Sequence, residues 1–185
     1  MVEQGQILLE RAELGRAIGR MAHEIIEKTA NPASLVLIGI RSRGVHLARR
    51  LARRIETTIK MAPPVGILDV TPYRDDRIQE PTRLAVEAPE TQVSVDERTV
   101  VLIDDVIYRG RTIRAAMEAV ERLGQPKRIL VAVLVDRGSR ELPIRADIIG
   151  KNFAAQEGQR VNVLLEESDG VDRVTLADWQ RRGVD

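Results

Sequence analysis

Cysteine is absent from the 185 residues, which excludes disulfides, cysteine-based zinc sites and thiol nucleophiles and fits a reducing compartment. Histidine occurs only twice, so His-rich metal sites are excluded as well. The longest apolar run is the seven residues from Ile129 to Val135, too short to span a bilayer, and the N-terminus lacks the charged-then-apolar pattern of a signal peptide. Charge of one sign is missing too: 29 Lys/Arg stand against 28 Asp/Glu, a formal net charge of +1. Bulk electrostatics therefore do not announce nucleic-acid binding. No internal repeat or low-complexity tract is present. These absences predict a soluble, cytoplasmic protein.

What remains is enough for one well-buried domain, expected to span residues 1–185, with hydrophobic residues at 43% to build a core. Positive charge is concentrated early, because residues 1–60 hold 11 Lys/Arg against 6 Asp/Glu. Solvated helix faces plus a phosphate site account for that asymmetry. Leu14, Ile18, Met21 and Ile25 recur at helical spacing, with Arg16, Arg20, His23 and Glu27 on the opposite face of the same helix. Leu35–Ile40 is a continuous apolar run, followed by Arg41-Ser-Arg-Gly44 and a second helix over 44–56 that buries Leu47, Ala48, Leu51 and Ile55. Further short apolar runs at Val65–Val70, Val100–Ile103 and Ile129–Val135, separated by helical patterns or loops, read as parallel strands covered on both faces. The fold class is α/β. Residues 71–96 carry Pro72, Pro81 and Pro89 with no sustained apolar period, so a long loop is expected there, with 72–92 as a lid. Asp147–Gly150, Val161–Leu165 and Val171–Leu176 read as short strands around polar turns.

Residues 99–116 carry the chemistry. An apolar strand delivers Asp104 and Asp105 at its carboxyl end, and the turn Tyr108–Thr112 leads into a helix over 112–123. The free N–H groups of that helix suit a phosphate. In an open α/β sheet ligands lie outside the carboxyl ends of the strands, so the acidic pair and the anion cradle would face one molecule carrying both hydroxyls and phosphate, such as a sugar phosphate. An Asp-Asp pair after a strand is often only a turn into a helix, but the Tyr-x-Gly-Arg-Thr that follows makes the signal specific.

Val101–Thr112 resembles the ribose-phosphate signature of type I phosphoribosyltransferases, which move ribose 5-phosphate from phosphoribosyl pyrophosphate (PRPP) to a nitrogenous base. Arg20-Met-Ala-His-Glu-Ile-Ile-Glu27, Gly39-Ile-Arg-Ser-Arg-Gly44, Leu68-Asp-Val-Thr-Pro-Tyr-Arg-Asp-Asp76, Leu134-Val-Asp-Arg-Gly138, Arg140-Glu-Leu-Pro-Ile-Arg-Ala-Asp147 and Gly150-Lys-Asn152 extend the resemblance to the PyrR family. Its members combine attenuation of pyrimidine operons, by UMP-dependent binding to leader mRNA, with uracil phosphoribosyltransferase activity, uracil and PRPP giving UMP and pyrophosphate. The resemblance implies a central, mostly parallel sheet of core order 2-1-3-4-5 flanked by helices, with a small hood. It places PRPP on Arg41, Ser42, Arg43, Asp104, Asp105, Val106, Ile107, Tyr108, Arg109, Gly110, Arg111 and Thr112. The backbone at 109–112 and the Thr112 hydroxyl would take the 5-phosphate, residues 41–43 the pyrophosphate, and Asp104 and Asp105 the ribose hydroxyls, directly or through water on Mg²⁺. By the same resemblance these two carboxylates would be the catalytic pair. Asp136, Arg137, Lys151, Asn152 and Val161 would line the base pocket, and Arg16, Arg20, His23, Arg140, Arg145 and Lys151 the RNA site. At least a homodimer is implied.

Three departures from the family pattern bear on these expectations. Arg109 stands where the family has Thr, losing a hydroxyl and adding a cation beside the phosphate. Gly19 and Ser139 replace a usual Thr and His on surfaces the family uses for RNA. Phe153-Ala-Ala-Gln156 replaces a more polar run. Two alternatives stay open: a salvage phosphoribosyltransferase without RNA binding, and a nucleotide-sensing RNA regulator with weak catalysis.

Overall fold

The computed structural model describes residues 5–70 and 93–178. The segments are β1 (Gln6–Glu10), α1 (Arg11–Lys28), β2 (Leu35–Ile40), α2 (Arg43–Ile59), β3 (Val65–Leu68), β4 (Thr99–Ile107), α3 (Arg111–Leu123), β5 (Arg128–Asp136), β6 (Ile148–Asn152), β7 (Gln159–Leu164), the short α4 (Glu166–Asp169) and β8 (Arg173–Asp178). Five strands form one sheet in the order β3-β2-β4-β5-β6, every neighbouring pair parallel. Counted along this sheet alone, that is the 2-1-3-4-5 order expected. The three others, β1-β8-β7, form a separate antiparallel sheet.

Strand periodicity sorts the core into two layers. Leu35, Leu37, Val101, Ile103, Leu130, Ala132 and Leu134 face α1 and α2 and share one cluster with Leu9, Val161, Val163, Val174 and Leu176 of the small sheet. Their alternates Val36, Ile38, Val100, Leu102, Val131 and Val133 face α3. Because β2 is buried along its whole length it reads as an unbroken apolar run, as a parallel strand covered on both faces must. The α1 positions picked from spacing are the buried ones, with Leu14, Met21 and Ile25 at most 1% exposed; each such side chain contributes roughly 1.5–3 kcal/mol. Glu10 and Glu13 close that helix with a capping box. The helix expected over 44–56 runs longer, to Ile59, and ends where Lys60 takes a left-handed conformation.

Two features differ from expectation. β1 was not read from sequence, because only one of its five residues is buried and its partner β8 lies at the other end of the chain. The acidic pair does not end its strand: β4 continues through Ile107, held by pairing of Val106 with Val135 and Ile107 with Asp136 of β5. The residues read as a lid, 72–92, lie outside the described residues. Among the described residues no helix is long and apolar enough to cross a membrane.

Candidate active site

Register brings the chemistry together. β2 stops at Ile40, its residue Gly39 paired with Ile103, so Asp104 and Asp105 emerge beside the turn that follows β2. Closeness is enforced by glycine. A Cβ on Gly44 would lie 2.4 Å from the Ile103 carbonyl oxygen and 3.3 Å from the Asp104 Cα, and one on Gly39 would lie 2.5 Å from the Val45 Cα. The first turn of α2 therefore rests directly on the backbone of the acidic pair. Asp104 is 8% exposed. Its Oδ1 accepts the Asp105 N–H at 3.0 Å, and the Asp105 Oδ1 accepts the Val106 N–H at 2.8 Å, which fixes both carboxylates against their own strand. Val106 and Ile107 give their side chains to the two hydrophobic layers.

Beyond β4 the chain turns through Tyr108 and Arg109 into Gly110, the N-cap of α3, with φ of 94°. Only glycine adopts that backbone without strain. No side chain caps the helix, so the N–H groups of Arg111, Thr112 and Ile113 face outward at the positive end of the helix dipole. The Tyr108 ring carries the Arg137 guanidinium at 3.8 Å and the Arg109 guanidinium at 5.1 Å. Arg109 Nε also meets Glu141 at 3.0 Å, and Arg111 meets the same carboxylate at 2.6 Å.

In the first of the two loops, Arg41 lies 3.7 Å from Asp69, and the Arg41–Ser42 peptide is cis. Arg43 points elsewhere: its guanidinium donates to both oxygens of Asp169 at 2.7 and 3.2 Å. On the base side, Asp136 pairs in register with Asn152 and Val135 with Lys151, so these residues share the carboxyl edge, Lys151 and Asn152 exposed. Asp136 accepts from the Gly138 N–H at 2.9 Å and from Arg140 at 2.6 Å. Arg137 is only 7% exposed and its Nε has no hydrogen-bond partner. Burial lowers the Arg137 pKa, Tyr108 opposes and Arg109 adds to the lowering. Val161 is buried in the layer that also holds Val106, Ala155 and Phe153.

The residues expected to meet RNA are not one patch. Arg16 and His23 are exposed on α1, and Arg20 donates to the Gly150 carbonyl, which covers the edge strand β6 next to Lys151. Arg140 is turned inward, donating to the Tyr108 carbonyl at 2.7 Å, the Ile144 carbonyl at 3.0 Å and Asp136. Arg145 is exposed between Ile144 and Ala146, which pack on the α3 layer, opposite α1. Nothing in the local sequence points to Glu141 or Asp169: Glu141 stands within Arg140–Asp147 with no distinguishing neighbour, and Asp169 sits 126 residues from Arg43.

A family model described as the phosphoribosyl transferase domain matches residues 4–158. Over 176 residues the chain is 50% identical to the "Bifunctional protein PyrR" of Pelotomaculum thermopropionicum, covering 95% of this chain and 97% of that protein. The chain belongs to the PyrR family. Its similarity to the PyrR of Thermus thermophilus is 47% over 96% of this chain and 97% of the other. The fold is that of type I phosphoribosyltransferases: the crystal structure of the hypoxanthine phosphoribosyltransferase of Trypanosoma cruzi superposes with a TM-score of 0.70 at 17% identity, covering 94% of this chain and 96% of that one. A purine phosphoribosyltransferase from Pyrococcus horikoshii gives 0.59 at 23% identity, over 79% and 85%.

Proposed function

We propose that this chain is a bifunctional PyrR protein. It transfers ribose 5-phosphate from PRPP to uracil, giving UMP and pyrophosphate, and binds pyrimidine-operon leader mRNA in a UMP-dependent manner, in the cytoplasm and as a homodimer or higher assembly. The observation that carries the reading is the contact of the α2 first turn with the backbone of Asp104, which puts the 41–43 loop, the acidic pair and the uncapped α3 N-terminus along one edge. That edge matches a molecule with pyrophosphate, ribose hydroxyls and a 5-phosphate in sequence.

Each part has a physical task. The N–H groups at the start of α3, with the Thr112 hydroxyl, bind the 5-phosphate. Asp104 and Asp105 hold the ribose hydroxyls and offset the positive charge that develops at the sugar as pyrophosphate departs. Arg41 and the backbone of the 41–43 loop receive the leaving group; Arg43 acts from its pairing with Asp169, as the anchor of that loop. Arg137, held over the Tyr108 ring, and Asp136, anchored by Arg140, stand at the carboxyl edge where the base would be read.

The donor set also fits Mg²⁺. Mg²⁺ is held by one or two carboxylates plus substrate oxygens and water, and the adjacent Asp104 and Asp105 are of that kind. Asp104 and Asp105 would supply those carboxylates, and the ion when bound neutralises charge on the pyrophosphate.

Filter binding with pyrimidine-operon leader RNA, with and without UMP, separates this reading from its rivals. UMP-enhanced binding together with UMP synthesis supports it. Synthesis without binding at any low ionic strength leaves a salvage enzyme, and binding without synthesis leaves a nucleotide-sensing regulator.

A further inference from the structure

The turn that cradles phosphate already carries an anion. Glu141 Oε1 lies 3.0 Å from Arg109 Nε, and its Oε2 lies 2.6 Å from Arg111 Nη2 and 3.0 Å from Arg111 Nε. Its backbone is fixed to the same turn, since the N–H groups of Glu141 and Leu142 both donate to the Arg109 carbonyl at 3.1 and 3.2 Å. One carboxylate thus bridges the two guanidiniums that flank Gly110. A carboxylate between two guanidiniums presents the same charge and fork geometry that a phosphate offers. All three side chains are accessible, at 38% exposure for Arg109, 58% for Arg111 and 41% for Glu141, so the pairing can be exchanged for another anion.

We propose that Glu141 sets the affinity of the turn for PRPP: it is a resident counter-anion that holds Arg109 back, and the 5-phosphate must share or displace it. The inference rests on the reading of this turn as the phosphate site. Removing the charge while keeping the shape, in Glu141→Gln, releases Arg109 towards the phosphate and removes a like charge from beside it. PRPP then binds more tightly, by about twofold to fivefold for partly exposed pairs of this kind. Much of the gain comes through Arg109, so it shrinks in the Arg109→Thr background. A purely structural tether predicts the reverse, because loosening the 137–147 loop weakens binding in either background.

The test is calorimetric titration with PRPP and Mg²⁺ of the full chain, of Glu141→Gln, of Arg109→Thr and of the double variant, with the KM for PRPP and for uracil measured in parallel. A lower Kd and KM for PRPP in Glu141→Gln alone, with the KM for uracil unmoved, supports the inference. Equal or weaker PRPP binding in Glu141→Gln, or the same gain with and without Arg109, overturns it while PRPP binding by the unsubstituted chain preserves the site assignment. Absence of PRPP binding by the unsubstituted chain overturns both.

Discussion

Replacing Gly44 by alanine tests whether the contact between α2 and β4 sets the site. The new Cβ would sit 2.4 Å from the Ile103 carbonyl oxygen and 3.3 Å from the Asp104 Cα. Neither atom belongs to a flexible side chain, so the first turn of α2 has to lift from β4. Overpacking of this kind costs about 1–3 kcal/mol, which in a domain of this size lowers Tm by roughly 2–12 °C. The larger effect falls on catalysis. Lifting the turn moves the 41–43 loop away from the acidic pair, and a misplacement of about 1 Å between reacting parts costs on the order of 100-fold in rate. Gly15 is the control: a Cβ there meets nothing within 4 Å, and Ala in place of Gly within a helix gains about 0.5–1 kcal/mol. Thermal unfolding with steady-state UMP synthesis reads both effects. A Gly44→Ala variant with unchanged Tm and unchanged kcat/KM for PRPP would refute the argument, because the close approach would then be dispensable.

Other outcomes follow from the same geometry. Asp104→Asn or Asp105→Asn removes a charged hydrogen bond of about 1.5–3 kcal/mol, one to two powers of ten in PRPP affinity or rate; kinetics of the two single variants check this, and unchanged turnover in both contradicts it. Acid should loosen the tie between α2 and the segment around α4. The hydrogen bond from Arg50 holds Glu167 below its ordinary 4.5, and although burial alone would raise Asp169 and Asp172, bonds from Arg43 and Arg50 hold both below 3.8. Their stabilisation is present above those ordinary values and is lost as pH falls through the lower folded ones. Arg50→Met should therefore flatten the dependence of stability on pH below about 4.5, as read by urea unfolding across pH. Arg20→Ala should weaken leader-RNA binding and reduce its salt slope by about one while UMP synthesis persists; a slope that does not change removes the electrostatic basis for that face.

Most of the scaffold was legible because its signals are local. Burial on both faces makes β2 and β5 unbroken apolar runs, α1 shows its core stripe in Leu14, Ile18, Met21 and Ile25, and Asp104, Asp105 and Gly110 mark the strand, turn and helix of the candidate site at fixed spacing. The parts that stayed hidden are pairings between distant segments. β1 has too little burial to show an alternation. Arg43 and Arg140 look like free cations in sequence, yet Asp169 captures one and the Asp136 carboxylate with four backbone carbonyls captures the other. The acidic run around α4 reads as a solvated turn, but Arg11, Arg43 and Arg50 bind it to α1 and α2. A basic residue's sequence neighbours thus reveal its charge but not its partner.

Conversion of uracil and PRPP to UMP and pyrophosphate by the purified chain with Mg²⁺, run beside the same assay with hypoxanthine, is the most direct test of the proposed transfer. UMP formation that depends on PRPP is expected, with hypoxanthine left unconverted. No transfer to uracil, or transfer to hypoxanthine in preference, would contradict it.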